Sequence, residues 1–153
     1  MHSIHSLVKQ FQKDYPELTF KLSDDFKWSP SDSTVYYDGS SVNGTPSFLH
    51  ELAHALLGHS EYNRDIQLIE IESTAWHYAQ AILSPRYKIP IDEEHVEDNL
   101  DTYRDWLHAR STCPQCKATG FQVKSNVYKC ILCRAHWRVN DARTCALRRY
   151  KLT

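Results

Sequence analysis

Two groups of residues in this 153-residue chain have the types and the spacing to do chemistry. The first is His50-Glu51-Leu52-Ala53-His54, an H-E-x-x-H run. On a helix its two histidines stand one turn apart, so both imidazoles leave the same face and can grip one zinc ion. Glu51 sits about 100° around that helix from His50, placed to reach a metal-bound water without being a ligand. The second group pairs Cys113-Pro114-Gln115-Cys116 with Cys130-Ile131-Leu132-Cys133, a C-x2-C-x13-C-x2-C pattern. Four thiolates in paired knuckles form a closed tetrahedral zinc site, so structure and not chemistry is expected of them. The expected cofactors are therefore two zinc ions, one catalytic and one structural.

Two histidines and a water leave tetrahedral zinc one protein ligand short. His59 follows His54 by five residues, about 140° off the histidine face if the helix continues, and misses the six-residue spacing of metzincins. It reads as a helix-end residue near the last carbonyls. The next helical segment, about Asp65 to Leu83, carries Leu68, Ile69, Glu72, Ala75, Trp76, Ala79, Ile82 and Leu83 on one stripe. A carboxylate on a core-facing stripe must be paired or bound to metal. Glu72 is thus the expected third ligand, with a buried ion pair as its other use. Glu70, on the polar face with Gln67, Ser73, Thr74 and His77, is the alternative ligand. A His2Glu site with an open position suits peptide hydrolysis. Zinc lowers the pKa of its water, and Glu51 takes the proton and hands it to the departing amine. A second electrophile would come from His77, Tyr62 or Tyr78, among which the sequence does not choose.

The elements that must position these groups are legible in outline. Ile4, Leu7, Val8 and Phe11 recur at helical spacing over residues 2–14, and Tyr15-Pro16 ends that helix. Leu18–Leu22 and Thr34–Tyr37 read as strands on either side of a turn-rich connection around Trp28-Ser29-Pro30. The strand over Ser33–Tyr37 is either an ordinary structural strand or an edge that pairs with an extended substrate. Thr45-Pro46 offers an N-cap and first-turn proline for the metal helix, and Gly58 its stop. A further helix is expected over about Asp92–His108, and the segment from Asp65 should end at Ser84-Pro85.

The run HELAHALLGH, followed by E-x-x-A-x-x-Y-A-x-x-I-L-x-P from Glu72 to Pro85, resembles the ImmA/IrrE family of gluzincin-like metallopeptidases. Members of that family carry H-E-x-x-H on one helix and a third-ligand Glu on the next. Trp76 stands where that family usually has Asn, and Ser84 where it usually has Met. The resemblance covers about residues 1–90 and implies a helix, a small sheet and two zinc-site helices. It also implies limited proteolysis of a regulatory protein, often a helix-turn-helix repressor. A weaker resemblance, in the order zincin then basic ribbon, is to SprT-like proteases that act at DNA. Those use a third His in an H-G-x-x-F/W-type segment, which does not follow His54 here.

Charge divides the chain. Residues 1–109 hold 8 Lys and Arg against 18 Asp and Glu, a net -10, whereas residues 110–153 hold 10 against 1, a net +9. That asymmetry suggests a zincin-like domain over 1–109 and a basic zinc ribbon over 110–153. The ribbon would contact nucleic acid or dock on the acidic half. Its candidates for nucleic-acid contact are Lys117, Lys124, Lys129, Arg134, Arg138, Arg148 and Arg149, joined by Arg143 and Lys151. Val123, Val127, Tyr128, Trp137 and Val139 would pack around the knuckles, and Cys145 would be a free thiol. The expected fold class is α+β. With 41% hydrophobic residues, 4 Gly and 6 Pro, collagen-like and low-complexity classes are excluded. No apolar run approaches 18 residues, so no membrane span is expected. The N-terminus lacks a secretory pattern, and five cysteines without one point to the reducing cytoplasm. A regulator that binds nucleic acid or protein through a silent zincin-like half is the alternative to a protease.

Overall fold

The computed structural model describes residues 3–141 and 149–152, so Arg143, Cys145 and Arg148 lie outside the described residues. The architecture is α+β, as the sequence predicts. The chain divides into two compact units, Met1–Ser60 with Ile71–Glu93, and Glu61–Glu70 with Glu94–Thr153. This grouping differs from a division at residue 110. No helix among the described residues is long and apolar enough to cross a membrane.

In the first unit, α1 (Ile4–Asp14) starts at Ser3, whose hydroxyl accepts the Ser6 N–H. It buries Ile4, Leu7, Val8 and Phe11. Strands β1 (Thr19–Ser23), β2 (Lys27–Ser29) and β3 (Thr34–Asp38) form a sheet in the order β1-β3-β2. β1 runs parallel to β3, and β2 runs antiparallel to it. β3 is therefore central and hydrogen-bonded on both sides, so Ser33–Tyr37 is not an edge that an extended substrate could pair with. The element that makes it central, β2, is three residues long and adjoins Pro30, too short for alternation to reveal it.

The metal helix α2 (Thr45–Leu56) is capped by Gly44 rather than Thr45, with proline in its first turn. Phe48, Leu49, Leu52 and Ala53 are fully buried. Phe48 meets Phe11 edge-on at 4.9 Å and stacks on Tyr37 at 5.6 Å, so helix and sheet share one aromatic core. Gly58 ends the helix at φ +68°. The His59 N–H reaches the His54 carbonyl, and the Gly58 N–H reaches that of Ala55. Those are the two hydrogen bonds of a Schellman motif.

Helix α3 (Asp65–Tyr78) widens into one π-helical turn (Ala79–Leu83) and continues as α4 (Ser84–Tyr87), past Ser84-Pro85. A proline ring collides with the carbonyl four residues back in a regular helix. Here the preceding turn is opened, with the Ser84 N–H bonded to the Ala79 carbonyl. The extra residue rotates everything after it. Ile82, expected on the buried stripe, is accordingly 48% exposed, while Ala79 and Leu83 are buried.

The second unit holds α5 (Glu93–Ser111) from Glu94 onward and an antiparallel sheet β4-β5-β6-β7 (Phe121–Lys124, Val127–Lys129, His136–Val139, Arg149–Leu152). Its core is Cys113, Tyr128, Cys130, Ala135, Trp137 and Val139. Trp137 rests on Gly120, where a Cβ would collide with the indole. Val123, expected in this core, is 38% exposed because a bulge between Gln122 and Lys124 leaves it unpaired.

Arg110 explains why α5 groups with the ribbon. Its side chain is buried, donating from Nε to Asp65 at 2.8 Å, from Nη2 to Asn126 Oδ1 at 2.6 Å and from Nη1 to the Asn140 carbonyl at 2.5 Å. Tyr128 also donates to Asp65, and the Trp137 indole N–H donates to the Arg110 carbonyl. Every guanidinium nitrogen has an acceptor, as a buried cation requires.

Candidate metal centres

His50 and His54 lie one turn apart on α2, both buried, and their rings converge with 4.5 Å between centroids. Glu72, buried on α3, brings Oε2 to 2.9 Å from His50 Nε2 and 3.2 Å from His54 Nε2. Three ligands of tetrahedral zinc, at bonds of about 2.1 Å, would stand about 3.4 Å apart. His50 Nε2 is buried and makes no hydrogen bond despite its closeness to Glu72. A donor atom left without a hydrogen bond, facing a second imidazole and a carboxylate, suits a cation. Glu70 is exposed, so of the two sequence candidates it is Glu72 that meets the imidazoles, beside the group of His50, Glu51 and His54 whose ligand atoms lie within 4.8 Å of one another.

Electrostatics agree with this division of labour. Burial raises the pKa of Glu72, but its contacts with His50 and His54 outweigh that and bring it down to about 2, so it is a carboxylate. Burial pushes the His50 pKa down, favouring the neutral imidazole that ligates metals. Burial pushes Glu51 up to about 7, against the opposing pull of His54. Glu51, with its donor atom within 4.8 Å of those of His50 and His54, is thus poised to exchange a proton near neutrality. Its Oε2 accepts the Trp28 N–H at 2.9 Å, and its Oε1 stands 3.6 Å from His50 Nδ1.

Three positioning side chains escape the sequence reading. Trp76 lies flat on the His50 ring, 4.0 Å between centroids and 5° from parallel. Trp28 holds Glu51 through its backbone and the His59 carbonyl through its indole at 2.8 Å. His59 turns back so that its Nδ1 lies 2.9 Å from His54 Nδ1. Were His54 Nε2 bound to a metal, its Nδ1 would carry the proton and donate to His59, which would fix the tautomer. The 140° offset assumed a continuing helix. The left-handed turn at Gly58 reverses the chain, and that glycine was the available signal.

The proposed electrophiles fare less well. His77 is exposed, Tyr78 packs against the apolar core, and Tyr62 belongs to the other unit.

In the second unit all four knuckle sulfurs lie within 4.8 Å of one another. Cys113 and Cys133 are 3.6 Å apart, and Cys116 and Cys130 are 3.5 Å apart. These spacings are far beyond a disulfide and close to the roughly 3.8 Å edge of a zinc–thiolate tetrahedron. Burial opposes ionisation of Cys113, yet the N–H groups of Cys116 and Gln115 bring its pKa down to about 6. The residue after each knuckle, Lys117 at φ 68° and Arg134 at φ 63°, adopts the left-handed conformation that turns the chain back. Arg149 donates to the Thr112 carbonyl at 2.7 Å and is half-buried, an anchor for β7. Lys124 and Arg138 are exposed, and Lys129 is half-buried.

The molecule therefore carries two ligand clusters compatible with zinc. No family model, curated protein or solved structure matches the chain.

Proposed function

We propose that the first unit is a zinc-dependent peptidase, with His50, His54 and Glu72 as ligands and Glu51 as general base. The observation that carries this reading is the convergence of His50 Nε2 and His54 Nε2 on one Glu72 oxygen, with the raised-pKa carboxylate of Glu51 beside them. A zinc ion held there would supply Lewis-acid polarisation of a peptide carbonyl and acidify water. Glu51 takes a proton from the attacking water and returns it to the departing amine. The Trp28 N–H orients the Glu51 carboxylate, and Trp76 and His59 fix the two imidazoles. The second unit carries the structural zinc on Cys113, Cys116, Cys130 and Cys133. The substrate class implied by the ImmA/IrrE resemblance is a regulatory protein, with a helix-turn-helix repressor as the first to test in the cytoplasm.

The test is to incubate the zinc-loaded protein with candidate repressors and unfolded protein chains, and to read new termini by mass spectrometry. Cleavage that disappears in Glu51→Gln while zinc content stays at two per chain supports the reading. Cleavage undiminished in Glu51→Gln, or wild-type zinc content in Glu72→Ala, overturns it.

A further inference from the structure

The register of the second sheet places opposite residues on a common face. Phe121 stands opposite Lys129, Lys124 opposite Val127, Val127 opposite Arg138, and Arg138 opposite Tyr150. The bulge at Val123 matters here, because without the extra residue Lys124 would point the other way. Tyr128 and Trp137 occupy the reverse face, where they are buried and bonded to Asp65 and the Arg110 carbonyl. The ribbon's aromatic residues thus fall into two populations. Tyr128 and Trp137 are core, whereas Phe121 is 46% exposed and Tyr150 39% exposed.

We propose that this outer face binds single-stranded DNA, with bases stacked on Phe121 and on the Arg138–Tyr150 pair and phosphates held by Lys124, Lys129 and Arg138. Three features point to that occupant. The face carries three cations, and its remaining members, the buried Val127, the half-buried His136 and the exposed Leu152, add no acid, so it complements a polyanion. Phe121 on β4 and Tyr150 on β7 are separated by three strand spacings, about 14 Å, with Lys129 and Arg138 on the strands between them. The two rings therefore serve different bases of one strand. Arg138 lies over the Tyr150 ring at 4.5 Å, making a flat cationic step of the kind on which unpaired bases stack.

A duplex hides its base faces from such a platform. Apart from the Tyr150 phenol, no hydroxyl or amide side chain stands among these positions to recognise a ribose 2′-hydroxyl, which favours the deoxy strand. The proposal does not depend on hydrolysis in the first unit.

The experiment uses the full zinc-loaded chain and a fluorescent thymidine 15-mer, with binding read by anisotropy. Phe121→Ala and Tyr150→Ala should each weaken binding roughly tenfold with zinc content unchanged. Lys124→Ala should flatten the dependence of log K on log salt by about 0.7. Lys9→Ala, an exposed cation of the first unit, should do neither. Unchanged affinity in both aromatic variants, equal affinity for a duplex of the same length, or tighter binding of a uridine 15-mer overturns the assignment.

Discussion

The two ligand clusters draw on the same metal chemistry and differ in what surrounds them. The cysteine cluster is closed: four sulfurs lie within 4.8 Å, and the chain turns back after each knuckle through Lys117 and Arg134. The histidine cluster groups His50, His54 and Glu51 within 4.8 Å, with a Glu72 oxygen against both imidazoles and Glu51 held by Trp28 and raised to about 7 by burial. A structural site spends all its ligands on the ion. A site for hydrolysis withholds one and keeps a base beside the gap. That contrast predicts how each site should fail.

The largest effect belongs to the closed site. Small ribbons bury too little apolar area to fold unaided, and structural zinc contributes about 10–16 kcal/mol in comparable modules. Cys113→Ser should therefore abolish the ordered β4–β7 sheet, seen as loss of amide protection at Tyr128 and Trp137, and reduce zinc from two per chain to one. Retention of both ions would break the comparison at its strongest point. Next comes Glu51→Gln, which should lower hydrolysis by about 10²- to 10⁴-fold while both ions stay bound, because general-base catalysis contributes about that much.

The contribution of His59 is smaller and sharper. It touches no expected substrate and acts through His54, so His59→Ala should weaken zinc at the histidine site by about 10- to 100-fold and leave the cysteine site unchanged. Competition with a chromogenic chelator distinguishes the two sites by their separate affinities. Equal weakening of both would mean that His59 supports the fold and not the ligand.

What the sequence reveals and what it hides follow one physical line. His50, Glu51, His54 and the four cysteines are local patterns, so spacing suffices to find them. Glu72 is found because one charge on an apolar stripe needs a reason. β2 is missed because three residues beside a proline carry no periodicity, and with it goes the central place of β3 in its sheet. The opened turn at Ala79–Leu83 is invisible to a 3.6-residue period, which is why Ile82 falls on the wrong face. Asp65 and Arg110 are 45 residues apart, and nothing in either neighbourhood announces their pairing. Trp76 reads as core, and it is core, yet its ring also lies flat on that of His50.

The finest prediction concerns stability rather than rate. In the metal-free protein Glu51 has a folded pKa of about 7 against an ordinary value of 4.5. Between those two pH values the unfolded chain gives up the Glu51 proton while the folded chain still holds it. The folded state then binds more protons, so stability falls as pH rises through this window and levels off above it. Glutamine cannot ionise and escapes that loss. Metal-free Glu51→Gln should therefore match the wild type near pH 4.5 and exceed it at pH 8 by on the order of 3 kcal/mol. Hydrogen exchange at the α2 amides from Phe48 to Ala53 reads the first unit separately from the zinc-starved ribbon. Zinc added at pH 8 should shrink the difference, because a nearby cation favours the Glu51 carboxylate. A variant no more stable than the wild type at pH 8 would show that Glu51 ionises in the fold without penalty, and the contrast between a site that buries an ionisable base and a closed, stabilising one would lose its energetic half.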